Sequence, residues 1–540
     1  MPRGADPGVH ADPVAELHGA VADAARELRG EPLPTAPTLE RPPRPDFGDY
    51  STNAAMLLAP SLGEPPRATA ERLGGVLSSR LGGAVERVDV AGPGFLNLFM
   101  ADGWYGGALA GALAAGGAYG AGQPEKPMRI LVEFVSANPT GPLTVASGRH
   151  AAYGDSLARL FELAGHTVER EYYVNDTGTQ IRLFGESISA RARGEEPPEG
   201  GYFGDYVTEL ARSIEGAEGA DPDELALRGV ELMLEGVRAT LARFRVEMDR
   251  FSSERAIRGA GGVQQVFDLL EEREHVYPKD GAVWLRTTTF GDDKDRVLMR
   301  SSGEVTYFGS DIAYHRDKLD RGYALAINVL GADHHGYLHR IRAAWEALGG
   351  DPGTFEVVLM QLVNLTEGGE RVQMSKRAGA VVALDELIDD IGVDAARYFL
   401  LQRSHDTTID LDLELARRHS QDNPVYYLQY AHARIAGILD KAGGAPSAER
   451  AGAELHPSER ALVKTLLEFP GEVVDAADRR APHRIAAYLH EAAQDFTAFY
   501  RDCKVVGDPE EAFRLALCVT TKQVLARGLE LLGVAAPEEM

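Results

Sequence analysis

Three short runs in this 540-residue chain hold residue types that handle phosphates and small charged ligands. The first is Asn138-Pro139-Thr140-Gly141-Pro142, set between an apolar run and an amphipathic one. At the carboxyl end of a parallel strand, that is where open α/β sheets bind ligands. Gly and Pro let backbone bend tightly beside a substrate, and a helix starting just after the loop offers free N–H groups to phosphate. An ordinary tight strand-to-helix loop has the same composition. The second run is Arg371-Val372-Gln373-Met374-Ser375-Lys376-Arg377-Ala378-Gly379, ahead of the helical pattern LDELID. Lys376 and Arg377 suit a clamp on a leaving pyrophosphate, and a solvated basic loop is the alternative. The third is Gly331-Ala332-Asp333-His334-His335-Gly336-Tyr337, after the apolar YALAINVL. Adjacent histidines suggest a metal. With no third ligand at readable spacing, polar groups orienting a ligand at a strand end are the better expectation, and no structural metal is expected.

The elements needed to position these runs are legible. MRILVEFVS reads as a buried parallel strand, RHAAYGDSLARLFELAGH as a helix and HTVEREYYVND as a second strand. Strand, loop, helix and strand make a βαβ unit, so residues 127–393 read as a doubly wound, Rossmann-like α/β domain. Residues of about 185–260 look like a mainly helical insertion. Residues 1–104 read as an α+β unit, with helices in VAELHGAVADAAREL and PRATAERLGGVLSSRLG. Its strands VERVDVAG and GFLNLFMA are separated by the turn Gly92-Pro93-Gly94. Residues 105–126 read as a short helix and a Gly-rich linker. From 394 to 540 the helical period dominates, as in PVYYLQYAHARIAGILDKA, and the expectation is an all-α bundle almost free of strands.

Bulk properties set limits. Hydrophobic residues make up 44% of the chain, enough for several cores, and the formal net charge is −26. That charge opposes non-specific nucleic-acid binding, so an RNA-binding face must be a local basic or aromatic surface. Two cysteines, Cys503 and Cys518, form neither a zinc pattern nor a disulfide framework, and the expected compartment is the cytoplasm. The N-terminus has no apolar core of a signal peptide. The uncharged stretch near residue 110 is mostly Gly and Ala and lacks the Leu, Ile and Phe of a membrane span.

Taken in order, VEFVSANPTGPL, EYYVNDTGTQI, VTYFGSDIAYHRDKLDRG, GADHHGY and QMSKRAG resemble the arginyl-tRNA synthetases. FGDYSTNAA with AGPGFLNL resembles that family's N-terminal domain, and ARYFLLQRSHDTTIDLDLELA with NPVYYLQYAHARI its anticodon-binding bundle. The resemblance spans essentially the whole chain. It implies a class I catalytic domain, ATP with Mg2+, L-arginine and tRNA(Arg) as substrates, and a monomer. It also implies residue roles. Glu133 and Asn138, five apart, and Tyr307 and Asp311, four apart, match positions that hold arginine, with Asp333 beside them. A guanidinium offers donors and no acceptors, so carboxylates suit it. Pro139, Thr140, Gly141, Pro142, His334, Lys376 and Arg377 fall to ATP, and Met374-Ser375-Lys376 matches the second signature loop, with Gln373 in place of its first basic residue. Tyr426, Tyr427, Tyr430, Phe47 and Asn53 become tRNA candidates.

The first signature departs. Where the class reads His-x-Gly-His, this chain has Thr144-Val145-Ala146-Ser147. Thr144 and Ser147 keep hydroxyls, and His150 lies three residues on, on the same face if the helix has begun. The expectation is that His150 and Lys376 take over part of the lost function. A catalytically silent paralogue that binds arginine or tRNA is the alternative, and a ligase for another amine-bearing acid is a third reading.

Overall fold

The computed structural model describes residues 12–372, 382–451 and 454–540. The central strand Arg129–Glu133 has Ile130, Leu131 and Val132 fully buried, which is why its sequence is a continuous apolar run rather than an alternating one. It lies in a five-stranded parallel sheet. The order is Phe355–Met360, Leu325–Gly331, Arg129–Glu133, Thr167–Val174 and Arg250–Ser253. The first strand in sequence is central, and successive strands are added on one side and then the other. The order reverses between Arg129–Glu133 and Leu325–Gly331, so a crevice opens there at their carboxyl ends.

The helix Val145–Leu163 crosses from the first strand to the second and is buried along most of its length. Gly154 permits this: a β-carbon there would fall 2.2 Å from Cγ of Phe134, so only glycine lets the helix press onto the end of the strand.

Two short strands fall where the sequence suggested helix. The edge strand Arg250–Ser253 comes from within the stretch read as an insertion. It is four residues long, and Phe251 is its only apolar residue, so no period marks it. The helices Thr179–Ala192, Asp205–Ser213 and Pro222–Arg243 fill the rest and share a small core around Phe184, Ile188 and Leu225. The strand Ile409–Asp412 also lies in the segment expected to be nearly strandless. It pairs in parallel with Val363–Glu367, burying Ile409 and Leu411 and turning out the aspartates between and after them.

The helices Pro424–Lys441, Pro457–Leu467, Phe469–Asp478, His483–Asp502 and Glu511–Leu531 form the C-terminal bundle. Cys503 and Cys518 are free and buried in it, and burial pushes the Cys518 thiol up to about 12. At the other end, the helices Pro13–Arg29, Ala54–Leu62 and Pro66–Leu81 cover an antiparallel four-stranded sheet. The Gly/Ala-rich run forms the helix Asp102–Ala115, which buries Tyr105, Leu109 and Ala112. The hydroxyl of Tyr119 then donates to the carbonyl of Leu466 in the bundle at 2.9 Å. Its small residues thus serve close packing. Polar contacts join the N- and C-terminal regions as well. Asp49, 6% exposed, accepts from Lys464 at 3.1 Å and Arg460 at 3.3 Å, and Asp102 accepts from Arg460 at 3.1 Å. One continuous apolar core runs from Leu17 and Tyr50 through the parallel sheet to Leu517 and Leu532. No helix among the described residues is long and apolar enough to cross a membrane.

Candidate active site

A cleft of about 540 Å3 opens at the point where the strand order reverses. The backbone leaving Arg129–Glu133 passes through two left-handed residues, Val135 at φ 69° and Ser136 at φ 41°. For a β-branched residue that conformation is strained, and strain of this kind persists where surrounding structure over-determines it. The fixing bonds are visible: Ser136 Oγ donates to Glu133 Oε1 at 3.0 Å and accepts from the Tyr173 amide at 3.1 Å.

The floor is built around two carboxylates, Glu133 buried and Asp311 half-buried. Glu133 Oε2 is ion-paired with Lys318, which also donates to Asn328 Oδ1 at 2.7 Å. Burial alone would raise the Glu133 carboxyl, but the charge and hydrogen bond of Lys318 leave it below its usual value. Asp311 sits one turn before His315 on the helix Tyr307–Asp320 and accepts from the Tyr337 hydroxyl. Its carboxyl is pushed up to about 7, chiefly by burial. The Tyr337 hydrogen bond works the other way, and the charges of Glu254 and Glu133 add to the rise. Tyr173 and Tyr314 stack at 4.0 Å between these carboxylates, and neither hydroxyl has a partner among the described residues. Nε2 of His315 is likewise unpartnered, while its Nδ1 lies 2.8 Å from the Asp311 carbonyl oxygen. Burial pushes His315 down to about 3, so it is neutral.

Expected site residues sort into three groups. Glu133, Asn138, Ser147, His150, Asp311, Asp333 and His334 all line this one cleft. Asn138 is held by Gln180, to which it donates at 2.7 Å, and by Asn175, from which it accepts at 3.3 Å. The next residues form the loop behind it: Pro139 and Thr140 are buried, and the Thr140 carbonyl accepts from the Tyr206 hydroxyl at 2.7 Å. Gly141 and Pro142 lead on towards the helix. Tyr307 is different. It is 63% exposed, one turn before Asp311 on the same helix, and stands outside the lining of the cleft.

Thr144 stands outside the cleft lining. It is the N-cap of the helix Val145–Leu163, its Oγ1 accepting from the Ser147 amide at 3.2 Å, which leaves the hydroxyl hydrogen free to donate. Ser147 and His150 do share the face towards the cleft. His150 is not the cation that would replace a lost charge in the free protein. Burial and the neighbouring Arg149 push it down to about 4, so its imidazole is neutral.

Gln373 through Arg377, and with them Met374, Ser375 and Lys376, lie outside the described residues. Both anchors of their loop are described. The Val372 amide donates to Leu365 at 2.9 Å. On the far side, the Val145 amide donates to Val382 at 3.1 Å and the Leu384 amide to Leu143 at 2.8 Å. The residues that follow the second signature run, Val382 and Leu384, are therefore bonded backbone to backbone at the start of the helix that carries Ser147 and His150.

The tRNA candidates divide as well. Tyr426 and Tyr430 stack in parallel one turn apart, and Tyr430 lines a groove of about 1100 Å3 on the C-terminal bundle. Arg434 lies 4.6 Å from the Tyr430 ring centre and 5.2 Å from that of Tyr500, which is 41% exposed in the same groove. Tyr427 faces inward, bonded to the Ala493 carbonyl at 3.2 Å and Thr497 at 2.9 Å. In the N-terminal region Phe47 is exposed under Arg44, while Asn53 accepts from the Thr38 amide at 2.9 Å.

Sequence reasoning missed Lys318, Tyr173, Tyr314, Asn328 and Tyr337. One signal was present. Asp311, Tyr314, His315 and Lys318 recur at helical spacing, and a polar-aromatic stripe on the inward face of a helix is uncommon for packing alone.

The whole chain has known relatives. The model described as "Arginyl tRNA synthetase N terminal domain" matches residues 15–100. "tRNA synthetases class I (R), catalytic domain" matches 108–194 and 233–419, and "DALR anticodon binding domain" matches 428–540. A curated arginine–tRNA ligase from Frankia alni is 47% identical over 548 residues, covering 98% of each chain. The Thermus thermophilus arginyl-tRNA synthetase structure superposes with TM-score 0.79 at 26% identity, covering 97% of this chain and 100% of that one. The Plasmodium falciparum enzyme structure, at 18% identity, shares the fold with TM-score 0.77, covering 99% of this chain and 100% of that one.

Proposed function

The chain belongs to the arginyl-tRNA synthetase family and is an arginine–tRNA ligase, and on that premise we propose how its cleft does the work. Glu133 and Asp311 take the guanidinium of arginine, each accepting N–H donors. Asn138, held by Gln180 and Asn175, meets the amino-acid end, with Asp333 at the opposite lip. Tyr307 covers the side chain from the rim once the ligand is in place.

ATP lies across the loop Pro139-Thr140-Gly141-Pro142 with its phosphates towards the start of the helix Val145–Leu163. Ser147, His150 and His334 are the nearby donors, and magnesium comes with the triphosphate. A neutral imidazole still donates one hydrogen bond, and an arriving phosphate raises its proton affinity. Lys376 and Arg377, aided by the framing of Met374 and Ser375, neutralise the departing pyrophosphate.

A carboxylate oxygen of arginine attacks the α-phosphorus. The bond to the bridging oxygen breaks and pyrophosphate leaves with its electron pair. A ribose hydroxyl at the tRNA 3′ end then attacks the carbonyl carbon of the adenylate. AMP leaves, and the hydroxyl proton passes to its phosphate. Positioning and charge stabilisation suffice, with no side-chain nucleophile. The bundle groove with Tyr426, Tyr430, Arg434 and Tyr500 receives the anticodon arm, and the N-terminal module, through Phe47 and the neighbourhood of Asn53, meets the tRNA elbow. The enzyme works in the cytoplasm as a monomer.

The observation that carries the assignment is the convergence of buried Glu133 and half-buried Asp311 on one cleft with Asn138 and His150. The test is arginylation of total tRNA with ATP and magnesium, beside Lys376→Ala and with lysine or citrulline replacing arginine. Charging with arginine alone that collapses in the variant supports the assignment. Charging with citrulline, or an unaffected variant, overturns it. No finding favours the silent paralogue.

A further inference from the structure

Lys318 is fully buried, and its ammonium lies beneath the cleft rather than in its wall. Three things surround it: Glu133 Oε2 in an ion pair, Asn328 Oδ1 at 2.7 Å and the Tyr314 ring, whose centre is 4.3 Å away. A buried lysine is expensive unless paired and hydrogen-bonded, and here both conditions are met. Lys318 thus ties Glu133 and Asn328, register partners on two neighbouring strands, to the helix Tyr307–Asp320.

Its effect on the cleft is one of charge and geometry. A carboxylate has about four acceptor directions. On Glu133, Lys318 takes one and Ser136 another, on different oxygens. The carboxylate is thus fixed in plane with acceptor capacity left on each oxygen, and its charge is cancelled from below. The second carboxylate of the floor, Asp311, has the neutral Tyr337 as its one side-chain hydrogen-bond donor among the described residues. The floor therefore presents two acceptor groups but one uncompensated charge.

Resting on the assignment of this cleft to arginine, we infer that Lys318 is a positioning residue that sets substrate charge specificity: it orients Glu133 as an acceptor while leaving Asp311 as the single unbalanced anion, matched to one guanidinium. Without it, two carboxylates would share a buried floor with Glu254 close by, and like charges so placed cannot all ionise. Among the described residues, the other titratable groups of the cleft are His315, which is neutral, the phenols of Tyr173, Tyr314 and Tyr337, and His150, Asp333 and His334 in the same lining.

The test measures kcat/KM for arginine against pH in tRNA charging by the full-length enzyme. Four proteins are compared: the unaltered enzyme, Lys318→Met, Glu133→Gln/Lys318→Met and Asp311→Asn. The expected result for Lys318→Met is at least a tenfold loss in kcat/KM at pH 7, carried by KM rather than kcat. Its pH profile shifts to the alkaline side by at least one unit, since two carboxylates now compete for ionisation. In the double variant the shift disappears while the raised KM remains. That variant also guards against misfolding, because replacing both members of a buried pair is far milder than removing one. An unmoved profile in Lys318→Met, or an equal shift in the double variant, overturns the inference. If Lys318→Met does not fold, a double variant whose KM matches the unaltered enzyme overturns it. A silent Asp311→Asn would instead overturn the assignment of the cleft to arginine.

Discussion

The Tyr337 hydroxyl donates to Oδ2 of Asp311, the carboxylate that burial pushes up to about 7. The guanidinium of arginine keeps its proton throughout the working range, so ionisation of Asp311 governs the encounter. As pH falls through about 7 the proton stays on Asp311 and the ion pair with substrate is lost. The expected kcat/KM for arginine drops below pH 7, approaching about tenfold per unit. Asp311→Asn flattens the profile and costs about 2–3 kcal/mol in kcat/KM, the range for a hydrogen bond to a charged group. A profile flat from pH 5.5 to 8.5 in the unaltered enzyme excludes this role.

His150 occupies the cleft face of the helix whose signature histidines are replaced. His150→Ala is expected to lower kcat about tenfold, near 1.4 kcal/mol of transition-state stabilisation. KM for arginine should stay within twofold. His150→Asn keeps an N–H donor and should recover part of the loss. Unchanged turnover in His150→Ala removes the residue from the mechanism.

Lys376 lies in sequence shortly before Val382 and Leu384, which are bonded to Val145 and Leu143. Its removal as Lys376→Ala should reduce kcat by about 10²–10³, the scale for losing one preorganised donor to a developing anion. Gel-shift affinity for tRNA should be unaltered. A variant that loses tRNA affinity and keeps its kcat would place Lys376 on the RNA instead.

The bundle tyrosines should separate cleanly. Tyr430→Ala and Arg434→Ala are expected to raise KM for tRNA several-fold and leave KM for arginine unchanged, because base stacking is worth about 1–3 kcal/mol per base. Tyr427→Phe removes inward bonds to Ala493 and Thr497, so it should lower thermal stability by about 1 kcal/mol and leave tRNA KM alone. A tRNA defect in Tyr427→Phe would reverse that division.

The sequence made some parts of this architecture readable for physical reasons. Ile130 to Val132 announced a strand covered on both faces, and the loop at Asn138 announced a strand end. Glu133 and Asp311 came through the resemblance to the family's motifs, and they meet in one cleft. Lys318 stayed hidden because its meaning depends on Glu133, 185 positions away in the chain. The capping role of Thr144 could be read only once the helix start was located, since its Oγ1 accepts from the Ser147 amide. Arg250–Ser253 and Ile409–Asp412 escaped because four residues carry too little periodicity, and only the neighbours Thr167–Val174 and Val363–Glu367 make them strands. The neutrality of His150 was invisible too, since burial is a property of the fold and not of the residue.

The bonds from Asp49 and Asp102 to Arg460 and Lys464 have a mechanical consequence. The first and last thirds of the chain are clasped to each other as well as to the catalytic sheet, with buried charge on both sides of the joint. Neither can swing away without exposing an unpaired ion. The two surfaces proposed to meet the elbow and the anticodon therefore stand at a set separation, like the jaws of a locked caliper. A tRNA would be accepted in part because its own dimensions span that gauge.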